Sequence, residues 1–255
     1  MVKEAILEVR LVDHYNNPDK TAGIAIRRCY SNLTYEELDE SLTQEDIQRL
    51  VNQVEGSGHT STLEHQLFTF HVSGLSRTAE VQLVRKRVGA SYSVRSGRYV
   101  DMSEAEYVIP NSIRNSPFYD ECMARLDENQ ELYSRMINSG IPPEDARFFQ
   151  TQNLATRLVV SMTGLGMLQF LEKRECTRAQ WEIREMAIRM HQLIKPISPI
   201  IFDNAGPTCK TQGICWEGKR SCGLWRAIEG GELRTRKKHN FNPNYRGDLL
   251  FIDQE

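Results

Sequence analysis

The chain has 255 residues, 40% of them hydrophobic and 26% charged, a balance that fits a globular protein with a substantial core and excludes a disordered or fibrous one. Its 32 Lys and Arg against 34 Asp and Glu give a formal net charge of -2, so the protein as a whole is not a polyanion binder and no nucleic-acid partner is expected. No apolar run approaches the span of a bilayer, and the opening Met-Val-Lys-Glu-Ala-Ile lacks the apolar region of a signal peptide, so no membrane partner is expected and the cytoplasm is the expected location.

Taken in chain order, Ile6 to Val12 alternates apolar and polar residues like a strand. Thr21 to Tyr30 and Thr43 to Val54 have helical spacing, the second opened by Thr43 with Asp46 three positions later, and Gly56-Ser57-Gly58 breaks the chain. Gln66 to Val72 reads as a strand, Ser76 to Arg87 as an amphipathic helix, and Ser91 to Val100 as loop and strand. Phe118 to Ile137 is a long helix stopped by Ser139-Gly140, Pro142-Pro143 starts a short one, and apolar, β-branched Leu154 to Met162 reads as a buried strand. Gly164-Leu165-Gly166-Met167-Leu168-Gln169 follows that strand and opens a helix; it lacks the third glycine and the βαβ surroundings of a dinucleotide fingerprint, so its glycines are expected to ease close packing. Arg178 to Lys195 is a strong helix ending at Pro196, and residues 226–255 form a basic tail expected to be exposed. Helices and strands alternate without regular βαβ spacing, which predicts an α+β fold.

The most informative segment is 82–99, where five basic side chains, Arg85, Lys86, Arg87, Arg95 and Arg98, are interleaved with hydroxyls and glycine and no acidic residue intervenes. That is the composition of an anion pocket, with the Ser96-Gly97-Arg98 loop offering backbone N–H groups and a guanidinium fork to a phosphate. Six cysteines at 29, 122, 176, 209, 215 and 222 are sparse for a disulfide framework and are expected to be reduced. The last three could hold a metal if a fourth ligand came from elsewhere, but their spacing departs from the short Cys-x2-4-Cys knuckles of zinc sites; they are read as ordinary thiols and no metal is expected.

Arg85-Lys86-Arg87, followed by eight residues and Ser96, resembles the Arg-His-Arg…Ser signature of the flavin-dependent thymidylate synthases. The block His59-Thr60-Ser61-Thr62-Leu63-Glu64-His65, with Phe68-Thr69-Phe70 after it, is similar to that family's His-x-Ser/Thr-x-x-Glu-His block. Ser76-Arg77 before Gln82, and Arg174 followed by Ala179-Gln180-Trp181-Glu182-Ile183-Arg184-Glu185, complete a likeness covering roughly residues 1 to 225.

The resemblance implies a single domain of the thymidylate synthase-complementing type over 1–225, a mixed sheet flanked by long helices, and a homotetramer with active sites at subunit contacts. It also implies FAD as cofactor, with NADPH and methylenetetrahydrofolate as co-substrates for methylating dUMP at C5 to dTMP. By the same resemblance His59, Ser61, Glu64, Arg85, Lys86, Arg87 and Gln169 are flavin positions, and Gln82, Ser96, Gly97, Arg98, Arg147 and Arg174 nucleotide positions. Arg174 and Ser96 are the expected catalytic positions, Arg174 stabilising negative charge on the pyrimidine and Ser96 acting as ligand rather than nucleophile. No cysteine is flanked like the nucleophile of the cysteine-dependent thymidylate synthases, so no covalent Cys-uracil adduct is expected.

The chain departs from the family pattern at Lys86, where histidine is usual, at Thr163-Gly164-Leu165, where Asn-Ala-Arg is usual, at Gln169, where His or Asn is common, and at Val94, where Glu or Gln is. Flavin positions are altered and nucleotide positions largely kept. Two further readings follow from that asymmetry: a specialised C5-methylase of UMP or another pyrimidine nucleotide, and a non-catalytic nucleotide-binding homologue.

Overall fold

The computed structural model describes residues 2–234; the rest of the basic tail, 235–255, lies outside the described residues. Strands β1 (Glu8–His14), β2 (Leu67–Ser76), β3 (Ala90–Val94) and β4 (Ala155–Thr163) form a four-stranded sheet in the order β1-β2-β4-β3. All three of its ladders are antiparallel, so the sheet expected as mixed is not; among the described residues parallel pairing is confined to two separate two-residue pairs, Lys3–Glu4 with Glu106–Tyr107 and Ile214–Cys215 with Glu232–Leu233. β3 is an outer strand, held only through β4.

The helices follow from their caps. α1 (Pro18–Arg28) opens with Asn17, whose side chain accepts from Lys20 N, and proline in the first turn. α2 (Tyr35–Ser41) and α3 (Gln44–Ser57) each start with a reciprocal cap, Thr34 with Glu37 and Thr43 with Asp46. α4 covers Arg77–Leu83, shorter than the expected Ser76 to Arg87, because the chain turns away before the basic run. α5 (Tyr119–Asn138), α6 (Gly164–Arg174) and α7 (Trp181–Ile194) follow; α7 begins three residues later than the spacing suggests because Gln180 caps it, its Oε1 accepting from Glu182 N and Ile183 N at 3.1 Å each.

One face of the sheet, with Phe68, Phe70, Val72, Leu158, Val160 and Met162, packs against α4, α6 and α7 to form the main core. The other face carries Arg157 and Val159, which are exposed, and Thr69 and Ser161, whose hydroxyls are bonded across the strands at 2.9 Å. The buried strand expected at 154–162 is present, with its burial mainly on one face, since the helices cover a single side. A second, smaller core under α5 is built on Tyr107, Leu126, Tyr133 and Leu154.

Two buried carboxylates tie the layers together. Glu182 of α7 accepts from the backbone N–H of Ser76 and, at 2.6 Å, from its hydroxyl, fixing the β2–α4 junction. Asp19 of α1 accepts from the Ser198 hydroxyl and, at 3.1 Å, from Ile200 N, and burial raises its pKa despite those bonds. A raised native value means that the folded state holds the proton more tightly than the unfolded chain does. Its contribution to stability is complete below the ordinary carboxylate value and is lost as pH climbs through the native one. Urea unfolding across that window is expected to show wild type losing stability relative to Asp19→Asn as pH rises; parallel curves would contradict it.

Candidate active site

The signature block is a turn rather than the end of a helix. Tyr92 of β3 donates its hydroxyl to Lys86 O at 2.7 Å and Leu83 O at 3.1 Å, pinning the chain between α4 and β3. Burial pushes that phenol up to about 12, so it remains a donor through the physiological range. Gly89 completes the turn at φ +69°, a conformation suited to glycine, and its carbonyl accepts from Thr163 N at 2.9 Å. The first turn of α6 is thereby pressed against the basic turn. The expectation that Gly164 and Gly166 serve close packing holds: a Cβ on Gly164 would lie 2.6 Å from the Gln66 side-chain amide and 2.7 Å from Leu63 O, and one on Gly166 would collide with the Gly89 carbonyl.

Around this turn, residues from separate sequence blocks meet. Lys86 Nζ donates to Gln169 Oε1 at 2.8 Å and to Val88 O. Burial lowers the Lys86 pKa, Lys173 lowers it further, and Glu64 opposes both, which puts Glu64, Lys86, Gln169 and Lys173 in one electrostatic neighbourhood. Arg85 and Arg87 are exposed beside it. His59 and Ser61 stand exposed at the start of the short helix Thr60–Glu64, just beyond the left-handed Gly58 that ends α3. In that helix Thr62 Oγ1 is buried with no hydrogen-bond partner.

Arg174, at the end of α6, donates from Nη2 to Gln82 O at 2.9 Å. Burial and then the neighbouring Arg85 make its charge less comfortable, while Tyr92 acts in the opposite sense. An anion set between the two guanidinium groups would remove that repulsion.

The remaining nucleotide positions form a second group. The Ser96 hydroxyl accepts from Arg98 N at 3.2 Å, Arg98 Nε pairs with Glu144 at 2.9 Å, and Arg147 Nε donates to Glu144 O at 3.1 Å. Gly97 is buried, and a Cβ there would sit 3.4 Å from Arg147 Cδ and 3.6 Å from the Arg77 guanidinium. This loop lies at the far end of β3 from Lys86 and Gln169, and the strand alone spans about 14 Å. Thus Glu64, Lys86, Gln169, Arg85, Gln82 and Arg174 are gathered at one end of β3, and Ser96, Gly97, Arg98 and Arg147 at the other.

Arg77 and Arg95, noted in the sequence without a role in the site, and Tyr92 are further residues that the structure places at these groups. Arg77 pairs with Glu80 through two bonds at 2.8 and 3.0 Å, and Arg95 donates to Ala155 O at 2.7 Å while its buried Nε has no partner. Burial lowers the Arg95 pKa, as do Arg157 and Arg77, so cations crowd behind the Ser96 loop. The signal for Arg95 is its place in the acid-free segment 82–99. A broad surface hollow of about 530 Å³ lined by Gln44, Arg49, Asn52 and neighbouring residues includes none of the expected site residues.

Residues 10–200 match the family described as thymidylate synthase complementing protein. The chain is similar to a protein of Geobacter sulfurreducens named flavin-dependent thymidylate synthase, 38% identical over 224 residues that cover 85% of this chain and 94% of that one. It is likewise similar to proteins of the same name from Thermococcus onnurineus, 36% identical over 91% of this chain and 96% of the relative, and Clostridium tetani, 33% identical over 85% and 93%.

Proposed function

The chain belongs to the thymidylate synthase complementing protein family, and on that premise we propose that it is an enzyme catalysing the flavin-dependent methylation of dUMP at C5 to dTMP. The observation that carries the reading is the convergence around one turn of residues from three distant blocks, 59–64, 82–87 and 169–174.

The residues present fit a flavin dinucleotide. Arg85 and Arg87 are exposed beside Lys86 and Lys173, a local excess of positive charge that suits a pyrophosphate, and the orphaned Thr62 hydroxyl in the neighbouring helix offers a further polar contact. Lys86 and Gln169 are already bonded to each other, so an ammonium stands where the imidazole is usual and the Gln169 amide oxygen is engaged by it; Lys86 acts as a point charge, without a planar face for stacking. FAD bound there supplies the reducing equivalents, with NADPH as its reductant and methylenetetrahydrofolate as the source of the carbon.

On the nucleotide side, Arg174, oriented by its bond to Gln82 O and pressed by Arg85, would orient the pyrimidine and stabilise negative charge developing on it. The Ser96-Gly97-Arg98 loop and Arg147 would hold the phosphate through backbone N–H groups and guanidinium forks. The separation of these two groups along β3 favours a homotetramer in which the phosphate loop of one chain serves the Arg174 end of another.

The test is to incubate the purified full chain with FAD, NADPH, methylenetetrahydrofolate and either dUMP or UMP, and to separate the nucleotide products. We expect yellow, flavin-loaded protein and dTMP from dUMP. Preferential methylation of UMP would replace this reading with the specialised one. Nucleotide binding without flavin uptake or product would replace it with the non-catalytic homologue.

A further inference from the structure

The expectation that no metal binds rests on the spacing of Cys209, Cys215 and Cys222, which lacks a fourth ligand nearby in sequence. The fold supplies one. Cys176 directly follows Glu175, the residue capping α6, whereas Cys209 sits in the turn Thr208–Thr211, Cys215 in the strand Ile214–Cys215, and Cys222 after the turn Gly218–Arg220. All four line one small cavity of about 30 Å³, room for a single ion or water. They are close enough to influence one another's charge, and all are free thiols. Cys29 and Cys122, the other two cysteines, do not line it.

Burial pushes the Cys176 and Cys209 thiols up, while hydrogen-bond donors act in the opposite sense. The backbone N–H of Arg178 is directed at Cys176 and that of Leu224 at Cys222, the usual support for metal-bound sulfur, and Arg178 also lines the cavity. The cage is not closed as it stands. Among the described residues no three His, Cys, Asp or Glu side chains are yet arranged to hold a metal; Cys215 Sγ is bonded to Ser221 Oγ at 3.4 Å, and Cys222 to the Thr177 side chain. Rotation about the Cα–Cβ bonds would exchange those weak hydrogen bonds for sulfur–metal bonds of about 2.3 Å.

We propose that Cys176, Cys209, Cys215 and Cys222 form a structural Zn²⁺ site that fastens the segment 207–225 onto the turn following Arg174. Four thiols give up four protons to solvent and four sulfur–zinc bonds form. Nothing is oxidised, and the resulting centre carries a charge of −2, which Arg178 partly offsets and to which Glu175 and Glu217, also lining the cavity, add. The placement makes the site structural, since four protein ligands leave no open position for a water or substrate.

The experiment is metal analysis of the full-length chain purified without chelator, followed by exchange of the metal for Co²⁺. The expected result is one zinc per chain, and after exchange the visible bands of tetrahedral cobalt together with sulfur-to-cobalt charge transfer. Cys215→Ser and Cys222→Ser should lose both metal and charge-transfer intensity, while Cys29→Ser keeps them. Should the serine variants fail to fold, titration of reduced wild type with Co²⁺ alone decides the matter. The proposal is overturned by wild type that neither carries zinc nor develops the cobalt bands, by full zinc content in Cys215→Ser, or by a disulfide between any two of the four in protein prepared without oxidant. These readouts do not depend on FAD or dUMP, so failure here is separable from failure of the enzymatic reading.

Discussion

Arg174→Ala is expected to lower turnover of dUMP by about 10²–10³-fold, the loss typical when a preorganised group facing developing negative charge is removed. The side chain is well placed for this role, because its Nη2 bond to Gln82 O fixes the guanidinium at the end of α6 and Arg85 beside it leaves the pair short of negative charge. A pyrimidine carrying partial negative charge supplies what the pair lacks, and more so as charge builds during reaction. The loss should therefore fall mainly on kcat, with a smaller change in KM. Arg174→Lys is not expected to rescue, because an ammonium cannot hold the Gln82 carbonyl and a planar ligand together in fork geometry. Losing the bond to Gln82 O costs about 1 kcal/mol of stability, too little to unfold the domain, so a folded but slow enzyme is the expected outcome. Steady-state kinetics alongside thermal unfolding checks both halves; a folded variant with unchanged kcat would remove Arg174 from the chemistry.

A large effect on stability is expected from Gly166→Ala, at about 3 kcal/mol. The added methyl would collide with the Gly89 carbonyl and lie 3.1 Å from both the Gly89 carbonyl carbon and Thr163 Oγ1. Neither obstacle can yield cheaply. The Gly89 carbonyl is bonded to Thr163 N, and Thr163 Oγ1 caps α6 by accepting from Gly166 N at 3.1 Å. In a chain of this size such a penalty lowers the melting temperature by roughly 6–12 °C. Gly56→Ala is the control: it lies near the end of α3 with nothing within 4 Å of its would-be Cβ, and the substitution should stabilise by about 0.5–1 kcal/mol. Equal melting temperatures for wild type and Gly166→Ala would show that the contact between α6 and the basic turn is looser than these distances imply. If the contact holds, the same substitution should also weaken flavin uptake, since the displaced turn carries Arg85, Lys86 and Arg87.

Much of the fold is legible because it depends on local chemistry. The Thr43–Asp46 cap, the proline and glycine stops and the alternation of Gln66 to Val72 each reappear within a few residues of where the pattern puts them. α2 escapes although its Thr34–Glu37 cap is written in the sequence, since seven residues with only Leu38 buried carry almost no apolar period. The basic run reads as part of the preceding helix for the opposite reason: Leu83 to Arg87 keeps an amphipathic spacing, and what ends the helix is the Tyr92 hydroxyl arriving from the next strand.

For the candidate site, the residue types are readable and their grouping is not. Nothing in the order Gln82, Ser96, Arg98, Arg147, Arg174 reveals that β3 stands between its members, because strand direction and register are set by pairing with β4. The same limit hides the role of Cys176, whose neighbours in space come from a segment beyond α7.

β3 has one more consequence. As a five-residue border of the sheet, it exposes backbone groups that could template pairing with another polypeptide. Its outward residues are Ser91 and Ser93, and it is bracketed by Arg85, Lys86 and Arg87 before and by Arg95 and Arg98 after. Two molecules meeting border to border would bring these guanidinium and ammonium groups into mutual opposition over a ladder too short to compensate. Arg98 is already paired with Glu144, so it is chiefly the exposed Arg85 and Arg87 that would oppose amyloid-like self-addition at this border.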